Sequence, residues 1–167
     1  MNEIHLGQEF LKELEAEAAA SRKCVERIPP ALYKYKPHEK SMEMGYLAVL
    51  VAEIPKWIAI MINDNEINFA TWQRYNMTST EDMVKYFDKN MEDARDALKN
   101  VANEQLQTLF YLKAGDKELM SSTRQVSVSS ALNHWVHHRG QLTVYMRLNN
   151  IAVPAIYGPS ADDNQWQ

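Results

Sequence analysis

Tyr46 to Ile62 reads YLAVLVAEIPKWIAIMI, a run in which only Glu53 and Lys56 carry charge, with Pro55 between them. A bilayer would penalise two charges at the centre of such a stretch heavily, so the run is expected to be the central helix of a globular core instead. It is apolar on most of its circumference, which also marks a helix surrounded by others. Pro55 removes the amide that would bond the Val51 carbonyl, and its ring crowds that carbonyl, so a kink is expected near residues 51–55. The kink is either a tolerated bend or one that shapes a pocket.

The remaining chain supplies elements to pack round it. From about Glu3 to Ile28, Ile4, Leu11, Leu14, Ala18, Ser21, Val25 and Ile28 recur mostly at three- and four-residue spacings, with charged residues between, as in an amphipathic helix. Pro29, Pro30 and Pro37 end it, and Ser41 is expected to cap the central helix, with Glu43 in its first turn. Asn63 to Thr80 has no helical period and reads as a connector whose Phe69 and Trp72 cover one end of the core. A third helix is expected from about Thr80 to Ala102, on the alternation of Val84, Phe87, Met91, Ala94, Leu98 and Val101. LQTLFYLKAGDKELM, residues 106–120, suggests a short hairpin turning about Ala114, Gly115 and Asp116. A fourth long helix should run from about Thr123 to Asn149, followed by a loop tail.

These elements describe an all-α four-helix bundle in a single domain spanning residues 1–167. The linker after Asn63 can span about 50 Å at ~3.3 Å per residue, more than the ~33 Å length of a 22-residue helix. The third helix can therefore run parallel to the second, giving up-down-down-up order, and the simple up-down-up-down order stays open as well.

Charge and cysteine content narrow the functions. A net charge of -4 without a basic run leaves no footprint for nucleic acid. The polar start, MNEIHLGQEF, lacks the order of a secretion signal, and the one cysteine, Cys24, has no intrachain partner; both favour the cytoplasm. Cys24 flanks the apolar stripe of the first helix and is read as inert packing.

The segment HWVHHRGQL, His134 to Leu142, holds three of the five histidines. At ~100° per residue, His134, His138, Gln141 and Tyr145 share one narrow stripe. Arg139, Thr143 and Arg147 are expected on the far surface. The stripe is therefore expected to point into the bundle, where its imidazoles must be hydrogen-bonded, protonated at a cost, or bound to metal. Histidines four apart suit zinc, nickel or iron, but a catalytic site also needs a third ligand from a facing helix. Hydrogen-bonded core histidines and a metal centre both stay open on periodicity.

Leu132 to Asp163, LNHWVHHRGQLTVYMRLNNIAVPAIYGPSADD, resembles the C-terminal signature of the DinB/YfiT-like proteins, with H-x-x-x-H-R-G-Q followed by Y-G-P-S. KPHEKSMEMGYLAVLVAEIPKW resembles their second-helix segment. The resemblance implies an up-down-down-up bundle, often dimeric, with a divalent metal, zinc or nickel, on three histidines. Some relatives are thiol-dependent S-transferases or isomerases; the family's "damage-inducible" name implies no DNA binding. His134 and His138 match two of the ligands, and Leu50 occupies the position of the third. Leucine offers no lone pair, so the expectation is a weakened or empty metal site in an intact fold. Glu53, one turn on, is a substitute ligand that also has Lys56 as an expected ion-pair partner; His38 is discounted, and Tyr145 is expected to hydrogen-bond a histidine.

The expected protein is therefore a bacterial, cytoplasmic homodimer without membrane or nucleic-acid partners. Its pocket, with Gln141, Tyr145, Leu50 and Glu53, either takes a small polar ligand or, with a substitute donor, works as a metal-dependent thiol transferase or hydrolase.

Overall fold

The computed structural model describes residues 5–164. In chain order it has α1 (Leu6–Glu26), a 3-10 turn (Pro30–Leu32), α2 (Met44–Asn63), β1 (Glu66–Asn68), α3 (Thr80–Asn100), the one-turn α4 (Asn103–Leu106), β2 (Leu109–Ala114), β3 (Lys117–Thr123) and α5 (Arg124–Leu148). The chain is mostly helical, but the all-α expectation is corrected by a three-stranded sheet of order β1-β2-β3. The hairpin turns at Gly115, whose φ of 63° suits a residue without a side chain. β1 adds in parallel, with Ile67 opposite Leu112. Three residues are too few to show a strand period, and only the partner strand reveals them.

α2 is the centre, as its composition requires. It is long and apolar enough to cross a membrane, yet 78% of its apolar window is buried within the molecule, packed on α1, α3 and α5. Its start differs from expectation. Glu43 is the N-cap and uses no side chain; the first amides are taken by the loop before it, Met44 N donating to Tyr35 O and Gly45 N to Tyr33 O. Gly45 permits that approach, since a Cβ there would lie 2.9 Å from Tyr33 Cβ. Ser79 does cap α3 as a polar side chain, accepting from Asp82 N, and Thr123 caps α5 through Val126 N.

Long-range hydrogen bonds fix how the helices run. Arg124, at the start of α5, donates to the Met61 and Ile62 carbonyls at the end of α2; Trp135 donates to Val51 O, and Tyr145 to Met42 O just before α2. α5 therefore runs against α2. Asn90 reaches Ala52 O and Gln105 reaches Ile62 O, so α3 runs along α2, as the long connector allows. Arg22–Asp88 and Arg95–Glu15 pair α1 with α3 in opposite directions, and Arg139 meets Glu17 and Ser21 of α1.

The proline anomaly is resolved by its neighbours. Pro55 deprives Val51 O of an amide, and Trp135 Nε1 replaces it at 2.8 Å from α5. One residue on, Ala52 O accepts Asn90 Nδ2 from α3, also at 2.8 Å. α2 is thus tied on two sides at its weakest point.

Candidate functional site

His134 and His138 lie on the same face of α5, and their Nε2 atoms are 2.7 Å apart. His138 Nδ1 is 2.8 Å from Gln141 Oε1, an acceptor, so His138 carries its proton on Nδ1. Its Nε2 then presents a lone pair and accepts the Nε2–H of His134. Burial pushes both imidazoles below the usual histidine range; the neighbouring His138 and His137 add to this for His134. For His138 the Gln141 bond opposes the burial in part. The pair is a neutral, self-satisfied dyad.

The stripe is not the middle of the buried face of α5. His138 is 6% exposed, but His134 and Gln141 are only half-buried. The deeply buried residues are Trp135, Leu142 and Met146 on one flank, together with Arg139, which is 1% exposed. The surface placement of Arg139 is therefore corrected. α5 packs on α1 as well as α2, so its buried arc is wide and the histidines stand at its rim, where the core opens into cavities. Arg139 sits in that arc against Glu17 at 2.5 Å, Ser21 and Tyr157.

On α2, Leu50, Glu53 and Trp57 share a face at spacings of three and four. The bonds Trp135–Val51 and Tyr145–Met42 place residue 50 at the level of the turn between His134 and His138. Leu50 is buried and lines a cavity of about 380 Å³ together with Glu53, Trp57 and Trp72. His134 lines an adjoining, more apolar cavity of about 340 Å³ with Trp57, Phe110 and Met120. Trp57 and Phe69 line both. The Trp57 and His134 ring centres are 5.6 Å apart, and the buried Trp57 Nε1 has no hydrogen-bond partner among the described residues.

Other expected roles shift. Tyr145 does not bond a histidine; its hydroxyl donates to Met42 O at 3.3 Å and its ring meets Tyr35 edge-on. Glu53 does not pair with Lys56. It is 5% exposed and accepts the Tyr86 hydroxyl at 2.8 Å, while Lys56 lies over the rings of Trp72 and Tyr86. His137 is exposed, and His38 accepts Lys40 N within its loop. Phe69 is half exposed rather than a lid on the core. Trp57 and Tyr86 were not singled out from the sequence; the i+7 spacing of Trp57 from Leu50 was the available signal.

The three-histidine metal that the resemblance implies needs a third donor beside His134 and His138. Among the described residues no three His, Cys, Asp or Glu side chains are grouped to hold a metal ion. The two imidazoles direct their Nε2 atoms at each other, Leu50 supplies no donor, and Glu53 is bonded to Tyr86. These residues do not fit that centre.

A family model described as "DinB family" matches residues 1–167. The chain is 24% identical over 159 residues to the uncharacterised protein YrdA of Bacillus subtilis, covering 92% of this chain and 89% of that protein. Two crystal structures of DinB-like proteins are similar in fold. One, YjoA from Bacillus subtilis, gives a TM-score of 0.66 at 22% identity, covering 85% of this chain and 92% of the other. The second, from Bacillus cereus, gives 0.67 at 18% identity, covering 90% and 97%.

Proposed function

The chain belongs to the DinB family, and from that premise we propose that it is a small-molecule-binding member whose histidine metal site is degenerate, with weak or lost metal binding. The observation that carries this reading is the His134–His138 bond. Two imidazoles that converge on one point, as ligands would, satisfy each other there, at the level of a helix position that holds leucine. His134, His138 and Gln141 supply the polar recognition, Leu50 and Trp57 the apolar wall; Tyr145 supports the loop before α2. The helix directions support an up-down-down-up four-helix bundle as the frame. A cytoplasmic homodimer is part of the same proposal.

A second reading, a metal-dependent thiol transferase or hydrolase, has one observation in its favour: Glu53 is a buried carboxylate one turn from Leu50. It requires Glu53 to leave Tyr86. Elemental analysis of untagged protein purified without chelator separates the two. The degenerate site predicts less than about a tenth of an equivalent of zinc or nickel, a result that would sink the second reading; near-stoichiometric metal contradicts the degenerate site.

A further inference from the structure

The cavity against α2 has a chemistry of its own, independent of whether the histidine pair takes metal. Its walls include Tyr46, Trp57, Trp72 and Tyr75, and its only acidic lining residue is Glu53. Trp57 and Trp72 meet edge to face with centres 6.4 Å apart, and Tyr75 stacks on Tyr86 at 3.8 Å, holding the phenol that bonds Glu53. Among the described residues no Lys, Arg or His lies within ion-pair distance of Glu53. Glu53 is 5% exposed, and its carboxylate accepts more bonds than the one Tyr86 gives.

The aromatic faces already attract positive charge, and Arg74 is itself part of the cavity wall. Lys56 Nζ stands 5.1 Å from the Trp72 ring centre, and the Arg74 guanidinium 5.6 Å from that of Tyr46. Neither reaches the carboxylate. Indole and phenol rings round a buried carboxylate that no cation pairs form a site for a cation that is weakly hydrated and has apolar substituents.

We propose that this cavity binds a small organic ammonium ion, its charged nitrogen against Glu53 and its apolar body against the Trp57–Trp72 pair. The volume of about 380 Å³ is of the size that small-molecule sites occupy.

The test uses the full chain, treated with chelator so that the histidine pair plays no part, and three eight-carbon probes: phenethylammonium, 2-phenylethanol and phenylacetate. Binding is read by tryptophan fluorescence and calorimetry. Phenethylammonium is expected to saturate, at least about tenfold tighter than the alcohol, with the anion weaker still. Glu53→Gln, which keeps an acceptor for Tyr86, should lose about tenfold or more with an unchanged circular dichroism spectrum. Should that variant fold poorly, Trp72→Leu, at a half-buried position, should show the same loss. Equal binding of ammonium and alcohol, no saturation by about 10 mM, or unchanged affinity in the folded variants overturns the proposal. Metal content is measured separately, so a metal-loaded protein would contradict the degenerate-site reading without bearing on this one.

Discussion

Trp135 donates its indole N–H to the Val51 carbonyl, the one acceptor that Pro55 leaves without a helical amide. The gap Pro55 leaves in the α2 hydrogen-bond ladder and the position of the histidine helix are therefore one feature. Trp135→Phe keeps the ring but strands a buried carbonyl, which costs about 1–3 kcal/mol. Pro55→Ala restores an amide to Val51, so it should cost less in the Trp135→Phe background than in the wild type. A double-mutant cycle by urea denaturation checks this; strictly additive effects would show that the two residues are not linked.

The histidine dyad makes stability depend on pH. Both imidazoles sit below the ordinary value of 6.5, so the unfolded chain takes up protons near that pH while the folded one does not. Their contribution is fully present above 6.5 and is lost as pH falls through the lowered folded values. Denaturation midpoints from about pH 7.5 to 5.5 should fall more steeply for the wild type than for His134→Gln. Parallel slopes would mean the dyad is not the titrating element.

Arg139 and Glu17 form an ion pair at 2.5 Å with side chains 2% and 12% exposed. Removing one partner of such a pair leaves an uncompensated charge, so Glu17→Ala should destabilise by about 3 kcal/mol. Replacing both, by Glu17→Leu and Arg139→Met, should recover much of that loss. Equilibrium denaturation of the three proteins decides it.

Cys24 is fully buried, and burial pushes its thiol up to about 11. Little thiolate is present at neutral pH. Titration with a chromogenic disulfide is expected to show no reaction in the native protein within minutes and one thiol in denaturant; prompt native reaction would mean α1 opens far more readily than its packing implies.

Much of this fold is legible in residue spacing, because the long helices bury one stripe each and end where proline, asparagine or a capping hydroxyl dictates. Thr80–Asn100 and Arg124–Leu148 fall within two residues of the ends expected from periodicity. β1 is not legible, since Glu66–Asn68 becomes a strand only through pairing with β2. The start of α2 misleads for a related reason: its amides are satisfied by carbonyls of Tyr33 and Tyr35, which no local side-chain pattern reveals. The histidine stripe was visible, and its place at the rim of the buried face was not. Arg139 is the cause, because a guanidinium counted as surface is in fact core, paired with a residue 122 positions away.

On the proposed reading, His134 and His138 lack only a donor at position 50 to hold metal. Zinc affinity of the wild type and of Leu50→His, measured by competition with a chromophoric chelator, tests it most directly. Weak binding by the wild type and at least about a hundredfold gain in the variant are expected, since the variant places a third imidazole at the level of the other two. Tight binding by the wild type, or a folded Leu50→His protein that binds no better, would contradict it.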